Sequence, residues 1–240
     1  MIRTPLIAIW VVLVTIFFSS SAIIASFITK NGDMSNKIAA IWARFILAES
    51  CIKVKVIGLS NIDPSKSYIY MSNHQGNFDI PILQAYLPVQ FRWLAKAELF
   101  KIPIFGYAMG KAGHISIDRS DRKSAFKSLS NAARIIRNGV SVLIFPEGTR
   151  SSDGNIRLFK KGGFILAVDS GVPIVPVVIH GLWPLMLKNR VFVRPGNVLL
   201  EIKKPIESAE YTRKTKDDLL KKVRHVICES FYKGIEGLRD

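Results

Sequence analysis

Apolar and polar positions change rhythm several times along the chain, and each change marks an element. Residues 5–28 form an uncharged run of Leu, Ile, Val, Phe and Trp10, with serines at 19–21. As a helix this run reaches about 36 Å, enough to cross the hydrocarbon core of a bilayer with some tilt. A secretory leader fits as well: Arg3 precedes the apolar stretch and Ser-Ser-Ser-Ala supplies a small-residue cleavage site. After an Asn31-Gly32-Asp33 turn, Ile38–Ala48 is a second apolar stretch, too short to span and interrupted by Arg44. It fits a helix in the membrane interface with Arg44 snorkelling outward. It fits equally an amphipathic helix packed on a soluble domain, because periodicity does not separate lipid from protein core.

From Cys51 onward, strand-like and helix-like segments alternate. Strands are predicted at Lys53–Gly58, Ser67–Met71, His114–Ile117, Val140–Phe145, Pro173–Ile179 and Val198–Ile202. Helices are predicted at Ile80–Leu87, Glu98–Met109, Asp121–Asn138, Gly163–Asp169 and Thr215–Tyr232. The clearest is Asp121–Asn138, which starts at a Ser120-Asp121 cap, ends at Gly139 and spaces Ala125, Leu129, Ala132, Ile135 and Ile136 helically. Ser151–Asn155 reads as a mobile loop. The alternation predicts an α/β domain with a mixed, largely parallel sheet flanked by helices. The N-terminal stretches add a hydrophobic two-helix membrane anchor. This divides the chain into residues 1–50 and 51–240.

Composition sharpens the picture in two ways. Of 240 residues, 49% are hydrophobic, so a sizeable core remains after the N-terminus is assigned to lipid. The formal net charge of +16 calls for an anionic partner such as a phosphorylated substrate, an anionic leaflet or nucleic acid. The two cysteines, Cys51 and Cys228, form no Cys-x-x-C or Cys/His cluster, so neither zinc nor a disulfide framework is expected.

Two strings carry candidate chemistry. Asn73-His74-Gln75-Gly76-Asn77-Phe78-Asp79 places a histidine and an aspartate at a fixed short spacing. An imidazole accepts a hydroxyl proton when its other nitrogen is held by an acceptor, and an aspartate can fix that tautomer. Asp79 ahead of Ile80-Pro81 is also a good helix cap, so both roles stand open for it. Phe145-Pro146-Glu147-Gly148-Thr149-Arg150 supplies an acid, a turn and a fixed cation. Arg119, Arg150 and Lys160-Lys161 follow strands or precede a helix, positions that face a ligand crevice in α/β sheets. No Gly-x-Ser-x-Gly elbow, P-loop or His-Glu-x-x-His occurs, so His74 is expected to act on the substrate's own hydroxyl without a covalent intermediate.

Four blocks resemble the glycerolipid acyltransferases, the 1-acylglycerol-3-phosphate acyltransferase type in particular. They are the Asn73–Asp79 string, Gly113-His114-Ile115-Ser116-Ile117-Asp118-Arg119, the Phe145–Ser151 string and Val172-Pro173-Ile174-Val175-Pro176-Val177. Ser116 departs from the aromatic or aliphatic residue usual in that family. The resemblance covers about residues 50–205 and implies a glycerol-3-phosphate acyltransferase-like fold.

The resemblance also implies roles. His74 would be the general base and Asp79 its partner. Arg119, Glu147, Gly148 and Arg150 would hold the acceptor's glycerol phosphate, with Lys96 near the phosphate and Pro173 and Pro176 near the acyl groups. The substrates would be lysophosphatidate and either acyl-CoA or acyl-carrier protein, with no cofactor, no metal and no nucleic acid. The expected location is a bacterial inner membrane, with the site on the cytoplasmic face where such donors occur. Another lysophospholipid, a lyso-aminolipid or glycerol 3-phosphate as acceptor stands as the near alternative. A thioester hydrolase and a non-catalytic basic membrane protein are the distant ones.

Overall fold

The structure is a computed structural model that describes residues 3–29, 31–118, 121–185 and 194–236. The chain opens with two helices, α1 (Arg3–Ile28) and α2 (Asp33–Glu49). There follow β1 (Ile52–Ile57), β2 (Ile69–Ser72), α3 (Asp79–Tyr86), β3 (Phe91–Lys96), α4 (Phe105–Lys111), β4 (Ile115–Ile117) and α5 (Arg122–Arg137). The rest is β5 (Ser141–Ile144), α6 (Gly162–Ser170), β6 (Ile174–His180), β7 (Gly196–Ile202) and α7 (Lys216–Glu236). The strands form one seven-stranded sheet in the order β1-β7-β6-β2-β5-β3-β4. Among the described strands only β6 and β7 pair antiparallel, so the mixed, largely parallel sheet expected from the sequence is present.

Both faces of the sheet are covered, which is why its central strands read as continuous apolar runs. The alternation survives inside them. In β2, Tyr70 joins a core with α2 and α3 that includes Leu47, Ile82 and Leu83. Its neighbours Ile69 and Met71 point the other way, into a core with α5, α6 and α7 that includes Ile136, Phe164 and Val223. Each such aliphatic side chain contributes roughly 1.5–3 kcal/mol relative to exposure. The start of α5 follows its sequence signal, since Asp121 Oδ1 accepts from the N–H groups of Lys123 (2.7 Å) and Ser124 (3.0 Å).

Two segments depart from expectation. The strand β3 was not foreseen. The single helix expected over Glu98–Met109 is instead a 3₁₀ turn at Ala97–Lys101 followed by α4. Pro103 blocks the continuous helix, and Ile104 turns the chain at φ 63°. Gly106 is required there, because a Cβ would stand 2.3 Å from the carbonyl oxygen of Phe100.

The helices α1 and α2 form an antiparallel hairpin. Ser35 Oγ donates to the carbonyl of Ala22 (2.9 Å), and Trp42 Nε1 donates to Thr15 Oγ1 (3.0 Å). Ala43, Ile46 and Leu47 of α2 are buried in the domain core, so this helix packs on the domain. The hairpin turn is tied to β3 by the buried Arg92. Its Nη2 donates to Asp33 Oδ1 (2.6 Å) and to the carbonyl of Asn31 (3.0 Å). Residues 9–28 of α1 are long and apolar enough to cross a membrane. Leu13, Phe17, Ile24 and Phe27 are exposed, as are Ile41 and Phe45 of α2 and Ile102, Ile104 and Tyr107 beside them. Such a face marks a membrane-associating surface.

Candidate active site

The site is assembled where β2 ends. Asn73 is fully buried and extends the ladder with its side chain. Its Nδ2 donates to the carbonyl of Ile179 (3.0 Å), and its Oδ1 accepts the N–H of the same residue (2.9 Å). The chain then turns, and the turn is organised by Asp79, the first residue of α3. Asp79 Oδ2 accepts the N–H groups of Gln75 (2.7 Å) and Gly76 (2.9 Å) and lies 2.5 Å from His74 Nδ1. The position before α3 is Phe78, which has no capping side-chain bond, so of the two roles open to Asp79 the geometry offers the partnership with His74.

The second string closes on the first from β5. Glu147 Oε1 accepts the backbone N–H of His74 (2.7 Å), and the carbonyl of His74 accepts the N–H of Ser151 (2.8 Å). Phe145 stacks on the imidazole, with ring centroids 3.9 Å apart and planes 7° from parallel. Gly148 makes the turn possible at φ 71°, a left-handed conformation that a side chain would strain. The loop Ser151–Asn155, expected to be mobile, is pinned. Ser151 Oγ accepts from the N–H of Gly154 (2.9 Å) and donates to the carbonyl of Asn155 (2.8 Å).

With Nδ1 held by a carboxylate, the imidazole carries its proton there and leaves Nε2 as an acceptor. His74 borders a cavity of about 230 Å³ whose walls are mainly apolar. The domain contributes Phe145, Gly148, Trp93, Ala95, Leu99 and Met109 to it, and the hairpin contributes Phe18, Ala22, Ala39 and Trp42. Lys96, exposed at the end of β3, stands on the same cavity. His114 also lines it and accepts the N–H of Trp93 at Nδ1 (3.2 Å). Burial, helped by the Arg92 charge, lowers the His114 pKa to about 3, so this histidine is neutral.

The structure thus brings His74, Asp79, Gly148 and Lys96 to one place. Arg150 is joined to it through Asn77, whose Oδ1 accepts from Arg150 Nη1. Arg119 lies outside the described residues. Glu147 takes a position other than the one expected. It is buried, its two carboxylate oxygens accept from the backbone N–H groups of His74 and Arg157 (2.8 Å), and it does not border the cavity of His74. Burial pushes its carboxyl pKa up against the pull of these bonds. Direct contact with an acceptor is therefore not what the geometry offers; Glu147 braces the backbone of His74. Pro173 and Pro176, expected near the acyl groups, do not line the cavity either. Lys161 pairs with Asp217 (2.8 Å) on the surface. Sequence reasoning missed Phe145 as the stacking partner and Asn73 as the strand extension. Both stand inside the two strings, but their roles depend on contacts across the sheet.

Comparison with known proteins agrees with this arrangement. A family model described as Acyltransferase matches residues 53–180. A 1-acyl-sn-glycerol-3-phosphate acyltransferase of Chlamydomonas reinhardtii is 37% identical over 187 residues, 77% of this chain and 55% of that one. A chloroplastic counterpart of Arabidopsis thaliana is 36% identical over 195 residues, 80% of this chain and 53% of that one. The chain thus spans a little over half the length of these curated relatives. The crystal structure of PlsC, the 1-acyl-sn-glycerophosphate acyltransferase of Thermotoga maritima, superposes with a TM-score of 0.82 at 28% identity, covering 99% of this chain and 95% of that one. The family match extends over more than half of the chain and contains both strings, and the chain belongs to the acyltransferase family, with the 1-acyl-sn-glycerol-3-phosphate acyltransferases among its relatives.

Proposed function

We propose that this protein transfers a fatty acyl group from acyl-CoA or acyl-carrier protein to the sn-2 hydroxyl of 1-acylglycerol 3-phosphate, giving phosphatidate. The observation that carries the proposal is His74, with Nδ1 on Asp79 and the ring bordering an apolar cavity that has a lysine on it. Nε2 takes the hydroxyl proton as the oxygen attacks the thioester carbonyl. The C–S bond breaks as the tetrahedral intermediate collapses, and the departing sulfur receives the proton back from the imidazolium. Asp79 stabilises that imidazolium. Lys96 and Arg150, with Arg119, are the proposed ligands of the acceptor phosphate, an anion that suits planar guanidinium forks and a point charge. The apolar cavity is the proposed seat of an acyl chain.

Residues 1–50 act in this reading as the membrane-anchoring helices and 51–240 as the acyltransferase domain. Because α2 packs on the domain and α1 lies along α2, the exposed apolar face rests in one leaflet, at the cytoplasmic face of a bacterial inner membrane where thioester donors occur. The net charge of +16 favours an anionic leaflet at about 1 kcal/mol per close Lys or Arg.

The test is thiol release from each donor by detergent-purified protein, with and without lysophosphatidate. Release that requires the acceptor and drops by at least about 10²-fold in His74→Ala supports the proposal. Release that ignores the acceptor would instead indicate a thioester hydrolase.

A further inference from the structure

A second hollow borders the same turn, lined by Glu147 and Thr149 where the first cavity is lined by Gly148. It is an open basin of about 520 Å³ bordered by Glu147, Thr149, Arg157, Lys160 and Arg224, with Ile156 and Phe159 in its apolar part. The three cations come from two places: Arg157 and Lys160 from the segment leading into α6, Arg224 from the middle of α7. None of them forms an ion pair with a described carboxylate, whereas Lys161, next in sequence, is paired with Asp217. Arg224 Nε is buried without a hydrogen-bond partner. Among the described residues Glu147 is the one carboxylate on the basin, and its oxygens are turned to the backbone N–H groups of His74 and Arg157.

Three unpaired cations around one engaged carboxylate leave the basin net positive. Arg224 is partly exposed where it borders the basin, and a guanidinium is a strong charge-assisted donor to a phosphate. The basin also sits close to the chemistry, since a single side chain bridges the N–H of His74 to that of Arg157.

We propose that this basin binds the phosphate-bearing end of the acyl donor's pantetheine arm, a chemistry that coenzyme A and acyl-carrier protein share. The inference rests on the acyltransferase reading. With the acyl chain in the first cavity and the thioester beside His74, the arm leaves past the Glu147 turn and its phosphate meets Arg157, Lys160 and Arg224. Ile156, Phe159 and the largely exposed Leu158 give apolar surface to the arm's methylene and methyl groups.

The experiment is steady-state kinetics in neutral detergent micelles on wild type, Arg157→Gln, Lys160→Gln and the double variant, with each donor in turn and lysophosphatidate as acceptor. Arg157 and Lys160 are exposed, and Glu147 uses only the backbone of Arg157, so these changes spare the fold. Arg224→Lys, which keeps the charge but loses the fork, is the fourth variant. We expect the double variant to raise the KM for both donors about tenfold, with kcat and the lysophosphatidate KM within twofold of wild type. Free coenzyme A should compete with the donor in wild type and lose that potency in the double variant. An unchanged donor KM overturns the inference, and so does a rise in the lysophosphatidate KM. A rise confined to acyl-carrier protein also overturns it, by assigning the cations to an acidic protein surface. Wild-type protein that transfers from neither donor removes the acyltransferase reading and this inference together; an active wild type with an unmoved donor KM removes this inference alone.

Discussion

Four contacts converge on His74, two on its ring and two on its backbone, and each constrains a different freedom. Asp79 fixes the tautomer, Phe145 fixes the ring plane, Ser151 holds the carbonyl and Glu147 holds the N–H. Three of the four come from one string about the Phe145–Ser151 turn, so the second motif acts largely by holding the first. This separates two roles for Glu147 experimentally. In Glu147→Gln, one of the two accepting oxygens becomes an NH₂ facing a backbone N–H. We expect kcat to fall about 10- to 100-fold, the displacement penalty typical of a mispositioned catalytic group, while the lysophosphatidate KM stays within twofold. A raised KM with unchanged kcat would return Glu147 to the acceptor's ligands. The pairing of His74 with Asp79 was legible because a short spacing brought them together. The grip of Glu147 on His74 was not, because it joins residues 73 apart through the order of the strands.

Among the elements, the hairpin of α1 and α2 is held to the sheet by Arg92. Its guanidinium, buried among Asp33, the carbonyls of Asn31 and Phe91 and the amide of Gln90, makes β3 the strand that receives the anchor. Asp33→Ala should cost about 2 kcal/mol, the size of a hydrogen bond to a charged group. Denaturant unfolding in detergent measures this, and an unchanged midpoint would mean that the remaining bonds hold the turn unaided. Arg92 also explains why β3 escaped sequence reading. Phe91-Arg92-Trp93 breaks the apolar run with a charge, and its partner is an acid in a distant turn. Of the six strands that the pattern predicts, β2, β5 and β6 are buried on both faces and carry no charge, whereas β1, β4 and β7 alternate buried with more exposed positions. The helix expected over Glu98–Met109 failed for the opposite reason. Its apolar spacing is real, but Pro103 removes a backbone donor and Ile104 takes a left-handed turn, so the pattern is folded into two short pieces.

For the molecule as a whole, acid should be more damaging than the carboxylates alone dictate. His114 is held neutral, with its pKa lowered to about 3 by burial and the Arg92 charge, and burial likewise lowers that of His180. Both take up protons in the unfolded chain near the ordinary value of 6.5, so stability is full above that value and is lost as pH falls from it toward the folded values. The loss is at most about 1.4 kcal/mol per pH unit for each group. The raised pKa of Glu147 works in the opposite direction over part of the range. Unfolding free energies at pH 7.5 and 5.0 should therefore converge in His114→Gln, whose amide oxygen still accepts from Trp93; slopes equal to wild type would exclude His114 as a source. The cavity that His114 lines has a larger consequence for how the chain divides. Seven of the 22 side chains that line it, from Thr15 to Trp42, belong to the two N-terminal helices. A cut at residue 50, where composition draws the border, would therefore run through this cavity and leave it with one wall missing. If the cavity seats an acyl chain as proposed, exchanging this hairpin between relatives would carry part of the choice of fatty acid with it.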